Sequence, residues 1–103
     1  MFVHCVFFWL KPDLNDAGRA RFLAGLRSLA QSPNAARVSV LRPAGTPRDV
    51  VDSSYDYQLL IEFADKAAHD AYQSPADEAH ESFVQTFKGD WARIAVYDGL
   101  PVD

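Results

Sequence analysis

The stretch Phe2–Leu10 (FVHCVFFWL) is apolar at almost every position. Read as a β-strand, it places Phe2, His4, Val6, Phe8 and Leu10 on one face and Val3, Cys5, Phe7 and Trp9 on the other. Both sets are apolar, which predicts a strand covered on two sides. Further along, Asn15 or Asp16 can cap a helix whose apolar residues Phe22, Leu26 and Leu29 fall at spacings of four and three, and Pro33-Asn34 closes it. Arg37–Leu41 alternates weakly and predicts a short strand. Residues 42–54 are rich in Pro, Gly, Asp and Ser and predict a loop too short to separate two domains. Tyr55–Phe63 (YDYQLLIEF) predicts a strong strand with its core face on the odd-numbered residues. Asp65 can cap a second helix carrying Ala68 and Tyr72 on one side, which Pro75 ends. From Ala76 to Lys88, His80, Phe83, Val84 and Phe87 recur with helical spacing. Trp91–Asp98 (WARIAVYD) is the last predicted strand.

The order β, α, β, β, α (in two segments), β predicts an α+β fold. Four strands form an antiparallel sheet, and right-handed crossovers bring the helices to one face. This is the ferredoxin-like βαββαβ plan, whose strand order 4-1-3-2 puts the first strand at the centre. Helices can cover only one face of that sheet. Val3, Cys5, Phe7, Trp9, Leu60, Trp91, Ala95 and Tyr97 are expected on the other, an apolar patch larger than soluble monomers tolerate. A second copy of the chain, joined by a two-fold interface, is the expected cover. The five-residue tail from Gly99 is too short to replace it.

With 103 residues, 49% of them hydrophobic, the chain predicts one domain and one core. A formal charge of −4 with scattered basic residues argues against nucleic-acid binding, which needs clustered Lys and Arg. The lone Cys5 cannot form an intrachain disulfide and fits a reducing, cytoplasmic setting. The N-terminal apolar run lacks a basic leader and is far shorter than the roughly 20 residues that span a bilayer, so neither export nor membrane insertion is expected.

No P-loop, GxGxxG, GxSxG or HExxH motif occurs. The candidates for chemistry are polar groups that parity turns inward. His4 and Asp98 are expected side by side, because the end of one antiparallel strand lies beside the start of its neighbour. Tyr72 and His80 approach the same rim from the helices. Such a set suits proton transfer: an imidazole as base, a carboxylate to fix its tautomer, and a phenol to donate to a developing oxyanion. Each residue also has a simpler structural use, as core histidine, packing tyrosine, end of an apolar helix face or turn aspartate before Gly99. His69 is expected on the solvated face of its helix. Two His and one Asp without tight spacing are a weak metal signal, so no metal and no cofactor are expected.

Taken together, VHCVFFWLKP, the F-x-x-x-L pattern at Phe22 and Leu26, YDYQLLIEFAD, AYQSPADEAHESFV and WARIAVYD make the chain resemble the stress-responsive A/B barrel (Dabb) family over almost its whole length. That resemblance implies a ferredoxin-like fold paired into a dimeric α+β barrel. Most of the family has no assigned reaction. By resemblance to a polyketide-cyclising plant member, which works without a cofactor, His80 would be the base and Asp98 the residue orienting it. Tyr72 would stabilise an enolate or thioester oxygen, and His4 would match the first-strand histidine. The family often shows His-Pro-x-His, whereas Ser74–His80 lacks the first histidine and carries two extra residues, about 200° of helical turn, before the second.

Three functions are compatible with the sequence. One is a homodimeric protein binding a small hydrophobic or aromatic molecule in a cavity under the helices, lined by Phe8, Phe22, Leu26, Leu59 and Ile61. Another is a cofactor-independent cyclase-, isomerase- or monooxygenase-like enzyme using His80, Tyr72, Asp98 and His4. The third is a structural, stress-protective oligomer, for which large side chains would fill the cavity.

Overall fold

A computed structural model describes all residues, 1–103. The strands are β1 (Phe2–Leu10), β2 (Arg37–Leu41), β3 (Tyr57–Phe63) and β4 (Trp91–Gly99), and the helices are α1 (Asp16–Ser28), α2 (Lys66–Gln73) and α3 (Glu78–Phe87). They follow the ferredoxin-like βαββαβ order, with one antiparallel sheet arranged β2-β3-β1-β4. β1 lies inside the sheet, and its even-numbered residues from Phe2 to Leu10 are buried while the odd-numbered ones stay half-exposed. Its even face meets Leu59, Ile61 and Phe63 of β3 on one side of the strand. Phe22 and Leu26 of α1, together with Leu29 in the short 3-10 turn that follows, close over that face with no exposed surface.

Side-chain caps fix where each helix starts. Asn15 accepts a hydrogen bond from the Gly18 amide at 2.8 Å, and Asp65 accepts one from the Ala68 amide at 2.9 Å. Both satisfy amides that the first turn leaves without partners. The third cap, Asp77, is 1% exposed and accepts from the His80 backbone amide at 3.1 Å, the Ser32 hydroxyl at 2.5 Å and the Asn34 side-chain Nδ2 at 3.0 Å. It therefore ties the start of α3 to the chain leaving α1. These bonds hold its carboxyl below the usual range against the opposing effect of burial.

Two expectations change at strand ends. β3 starts at Tyr57 rather than Tyr55, because Asp56 is diverted to close the end of β1: its carboxylate accepts from the Leu10 amide at 2.7 Å and from Arg19 at 3.2 Å. In β4 the pairing runs Trp9↔Arg93 and then Leu10↔Trp91, so Ala92 is an extra residue in a bulge. The bulge reverses parity, and Trp91 turns to the helix side. There its ring lies 5.4 Å from Phe8 and 6.2 Å from Phe83, so Trp91 belongs to the core and not to the outer sheet face.

The molecule measures 36 × 33 × 17 Å, the thickness of one sheet plus one helical layer. Val3, Cys5, Phe7, Trp9 and Leu60 on the outer face are only half-buried, and Tyr97 is 66% exposed. No helix is long and apolar enough to cross a membrane.

Replacing Asp77 with Ala removes a helix cap and leaves the buried Ser32 hydroxyl without its acceptor. The expected cost is about 2–3 kcal/mol in urea denaturation at neutral pH; a loss below about 0.5 kcal/mol would show that α3 is anchored elsewhere.

Candidate functional site

Between the β1–β4 half of the sheet and helices α2 and α3 lies a cavity of about 160 Å³. Its sheet wall comes from Val6, Phe8, Ile94 and Val96, and its helix wall from Phe83 and Val84. Tyr72, His80 and His4 bring polar atoms to this apolar space. The edge along β4 is open, since Ile94 and Val96 point to the helix side yet remain 42% and 48% exposed. A larger depression of about 590 Å³, lined by Ser28, Gln31 and Ser82 among others, is polar and open and contains no buried ionisable group.

The strand register sets the first pair of site residues. His4 and Asp98 are direct partners across the β1–β4 ladder, and the His4 Nδ1–H donates to Asp98 Oδ1 at 2.6 Å. With Nδ1 protonated, Nε2 is the basic nitrogen of His4. Burial lowers the histidine's proton affinity, and the Asp98 carboxylate opposes that shift.

His80 is the third residue of α3. The two extra residues before it are taken up by the turn at Ser74–Asp77, where the Asp77 amide donates to the Ser74 carbonyl at 3.1 Å. Its ring reaches the cavity and lies 4.3 Å from the Tyr72 ring. Nδ1 of His80 is buried and makes no hydrogen bond. Burial lowers the proton affinity of His80, offset in part by Asp77, so the imidazole is neutral at pH 7. Tyr72 is 1% exposed, and burial, reinforced by the Asp77 charge, pushes its pKa far up. It therefore remains a phenol, able to donate a hydrogen bond.

The structure brings His4, Tyr72 and His80 together at the cavity, but it separates Asp98 from His80. The carboxylate engages His4, and no hydrogen bond or ion pair links it to His80. Cross-strand register holds Asp98 beside His4, while His80 packs on Tyr72, so the orienting role implied for Asp98 toward His80 is not realised. Of the residues expected to line a ligand space, Phe8 and Leu59 do so. Phe22, Leu26 and Ile61 are fully buried in the close-packed core and line no cavity.

His69 was not anticipated. Rather than lying on a solvated face, its side chain is 13% exposed and its ring stacks on Phe2 at 4.1 Å. A signal existed: His69 lies three residues before Tyr72, so the two share a helix face. Asp77 was missed too, although an aspartate just ahead of an apolar helical pattern is a cap signature.

A family model described as Stress responsive A/B Barrel Domain matches residues 2–99. Among solved structures, a Dabb family protein with a ferredoxin-like fold from Mesorhizobium loti is 25% identical, with a TM-score of 0.78 over 99% of this chain and 97% of that one. A hydroxynitrile lyase from Passiflora edulis is 16% identical, with a TM-score of 0.79 over 99% of this chain and 94% of the lyase. A protein of unknown function from Thermobifida fusca, described as dimeric and ferredoxin-like, is 15% identical, with a TM-score of 0.75 over 95% of this chain and 88% of that one. No curated protein matches the sequence.

His4 and His80 both bind protons less readily folded than the 6.5 of an unperturbed histidine. As pH falls through that value the unfolded chain takes up protons that the folded chain excludes, so stability is full above it and declines toward the lowered folded values. Asp77 adds a further loss only at carboxylate pH, since its folded affinity is also lowered. Urea midpoints should therefore drop between about pH 7.5 and about pH 5.5, with a shallower drop in His80→Phe. Equal slopes in the two proteins would contradict the assignment.

Proposed function

This chain belongs to the stress-responsive A/B barrel domain family, and from that premise we propose that it binds a small hydrophobic or aromatic molecule in the cavity beneath α2 and α3. The observation that carries this reading is an apolar space of about 160 Å³ into whose wall three polar side chains, His4, Tyr72 and His80, are built. A void of roughly 150 Å³ is large enough for one benzene ring. Apolar walls with a few converging polar groups are what ligand sites offer. A phenol or a small carbonyl compound would place its ring against Phe8, Phe83 and Val84 and its oxygen toward Tyr72 or His80.

A second reading, cofactor-independent proton transfer, is favoured by the state of the polar residues. Neutral His80 can accept a proton from an acidic C–H or O–H, becoming an imidazolium, while the Tyr72 hydroxyl donates to the oxygen on which charge develops. The His4–Asp98 pair, at 2.6 Å, is a second imidazole held in one tautomer. The structurally similar hydroxynitrile lyase indicates that such a fold carries lyase chemistry in another protein.

The outer face of the sheet supports a homodimer. Val3, Cys5, Phe7, Trp9, Leu60 and Tyr97 form an apolar surface that Ser54 and Tyr55 touch only at Trp9 and Phe7, and the Thermobifida fusca neighbour is described as dimeric. Arg93 lies 4.1 Å above the Trp9 ring, which keeps a cation on this face without leaving the ring bare.

Saturation transfer to phenol should be seen with the wild-type protein and vanish in Val84→Trp, which fills the cavity; equal transfer to both would defeat the binding reading, and none to either would favour a purely structural oligomer. In sedimentation, wild type should run at twice the 11.5 kDa chain mass, and Phe7→Glu as a monomer. A monomeric wild type at micromolar concentration would remove the dimer.

A further inference from the structure

At the start of β1 three side chains from separate elements converge. His4 of β1, His69 of α2 and Asp98 of β4 each offer one ligand atom, and these atoms all lie within 4.8 Å of one another. We propose that this triad is a binding site for a divalent transition-metal ion of the zinc or cobalt type, adjoining the cavity through His4.

The first support is His69 Nε2, which is buried and makes no hydrogen bond. The other ring nitrogen is engaged: His69 Nδ1–H donates to Asp70 Oδ1 at 3.1 Å. That contact fixes the tautomer in which Nε2 carries a lone pair. Nε2 lies 4.0 Å from Asp98 Oδ2, too long for a hydrogen bond, and in this tautomer both atoms are electron-rich. A cation between them turns a repulsive contact into two favourable ones. A carboxylate on the far nitrogen of a histidine is also the usual outer support of a metal ligand, which orients the ring and raises its basicity.

Donor chemistry selects the ion. Two imidazoles and one carboxylate suit zinc, cobalt or ferrous iron, whereas calcium and magnesium prefer oxygen donors. Ligands about 2.0–2.1 Å from a tetrahedral ion lie about 3.3 Å apart. The donor atoms, within 4.8 Å of one another, must draw together around an ion, and the His4–Asp98 contact of 2.6 Å must open. The ion takes the place of the proton between His4 and Asp98, and the neutral His4 ring then carries its hydrogen on Nε2. With 40% of its side chain exposed, Asp98 leaves the remaining coordination positions to water. The competing arrangement is a protonated His69 bridging Asp70 and Asp98, which needs no metal.

Calorimetric titration of untagged protein with Zn(II), and visible spectra with Co(II), separate the two. The expected result is one Zn(II) per chain, with ligand-field bands for Co(II) that Zn(II) abolishes. His69→Phe keeps a ring to stack on Phe2 but removes the donor, and Asp98→Asn weakens the carboxylate ligand; each should lose at least tenfold in affinity. Asp70→Asn should lose about 10- to 100-fold while leaving all three ligands in place. Zn(II) should raise the melting midpoint of wild type and not of His69→Phe. Wild type that takes up no Zn(II), or His69→Phe and Asp98→Asn that bind it as tightly, would overturn the site. Asp98→Asn changes a side chain at an exposed strand end, so the test survives if His69→Phe fails to fold. Phenol binding, read by saturation transfer in the absence of Zn(II), reports on the cavity separately from these titrations.

Discussion

Everything in this molecule is arranged around a strand that is hydrogen-bonded along both edges and apolar on both faces. β1 pairs with β3 and β4, so each of its residues has its position set by two registers at once. Slipping either register by one residue would send Phe2, Val6, Phe8 and Leu10 out of the core and Val3, Cys5, Phe7 and Trp9 into it. Both sets are apolar, so the cost of a slip lies in shape: Val3, Cys5, Phe7 and Trp9 would leave voids and clashes in a space close-packed around Phe2, Val6, Phe8 and Leu10. That constraint holds His4 in place, and through the ladder it holds Asp98 beside it.

The helical layer is divided in its use. Over β1 and β3, α1 packs closely through Phe22, which sits among Phe8, Tyr57, Phe83 and Phe87 at centroid distances of 5.3–6.2 Å. Over β4, where no helix comes down as closely, the same layer leaves the cavity. Gly25 helps set this division: a methyl group there would collide with the Phe87 ring, so the close approach of α1 and α3 depends on its lack of a side chain. The aromatic packing is thus dense where stability is made and open where polar side chains gather. Asp77 connects the two regions, since it ends the turn that carries His80 and is held by residues following α1.

The ionisable groups fall into two sets that meet at His4. One faces the cavity, with a neutral His80 and a phenolic Tyr72, both shaped by burial. The other lies at the start of β1, with Asp98 between two imidazoles. In each set a low-dielectric setting makes the partner of a polar atom matter more than it would in water.

The sequence by itself determined the parts that depend on period and order. The two-residue alternation of Phe2–Leu10 and Tyr55–Phe63 set which side chains face the helices, the order of elements set the sheet, and antiparallel pairing put His4 near Asp98. Only the tertiary structure decided the parts that depend on how elements settle against each other. The bulge at Ala92 carried Trp91 across the sheet, a shift that strict alternation cannot show. The seating of α2 turned His69 inward onto Phe2. Asp98, bound to His4 by register, makes no hydrogen bond to His80. Periodicity assigns a side chain to a face; which neighbour it meets there is set by packing, because bulges and helix rotations shift partners while leaving the local pattern unchanged.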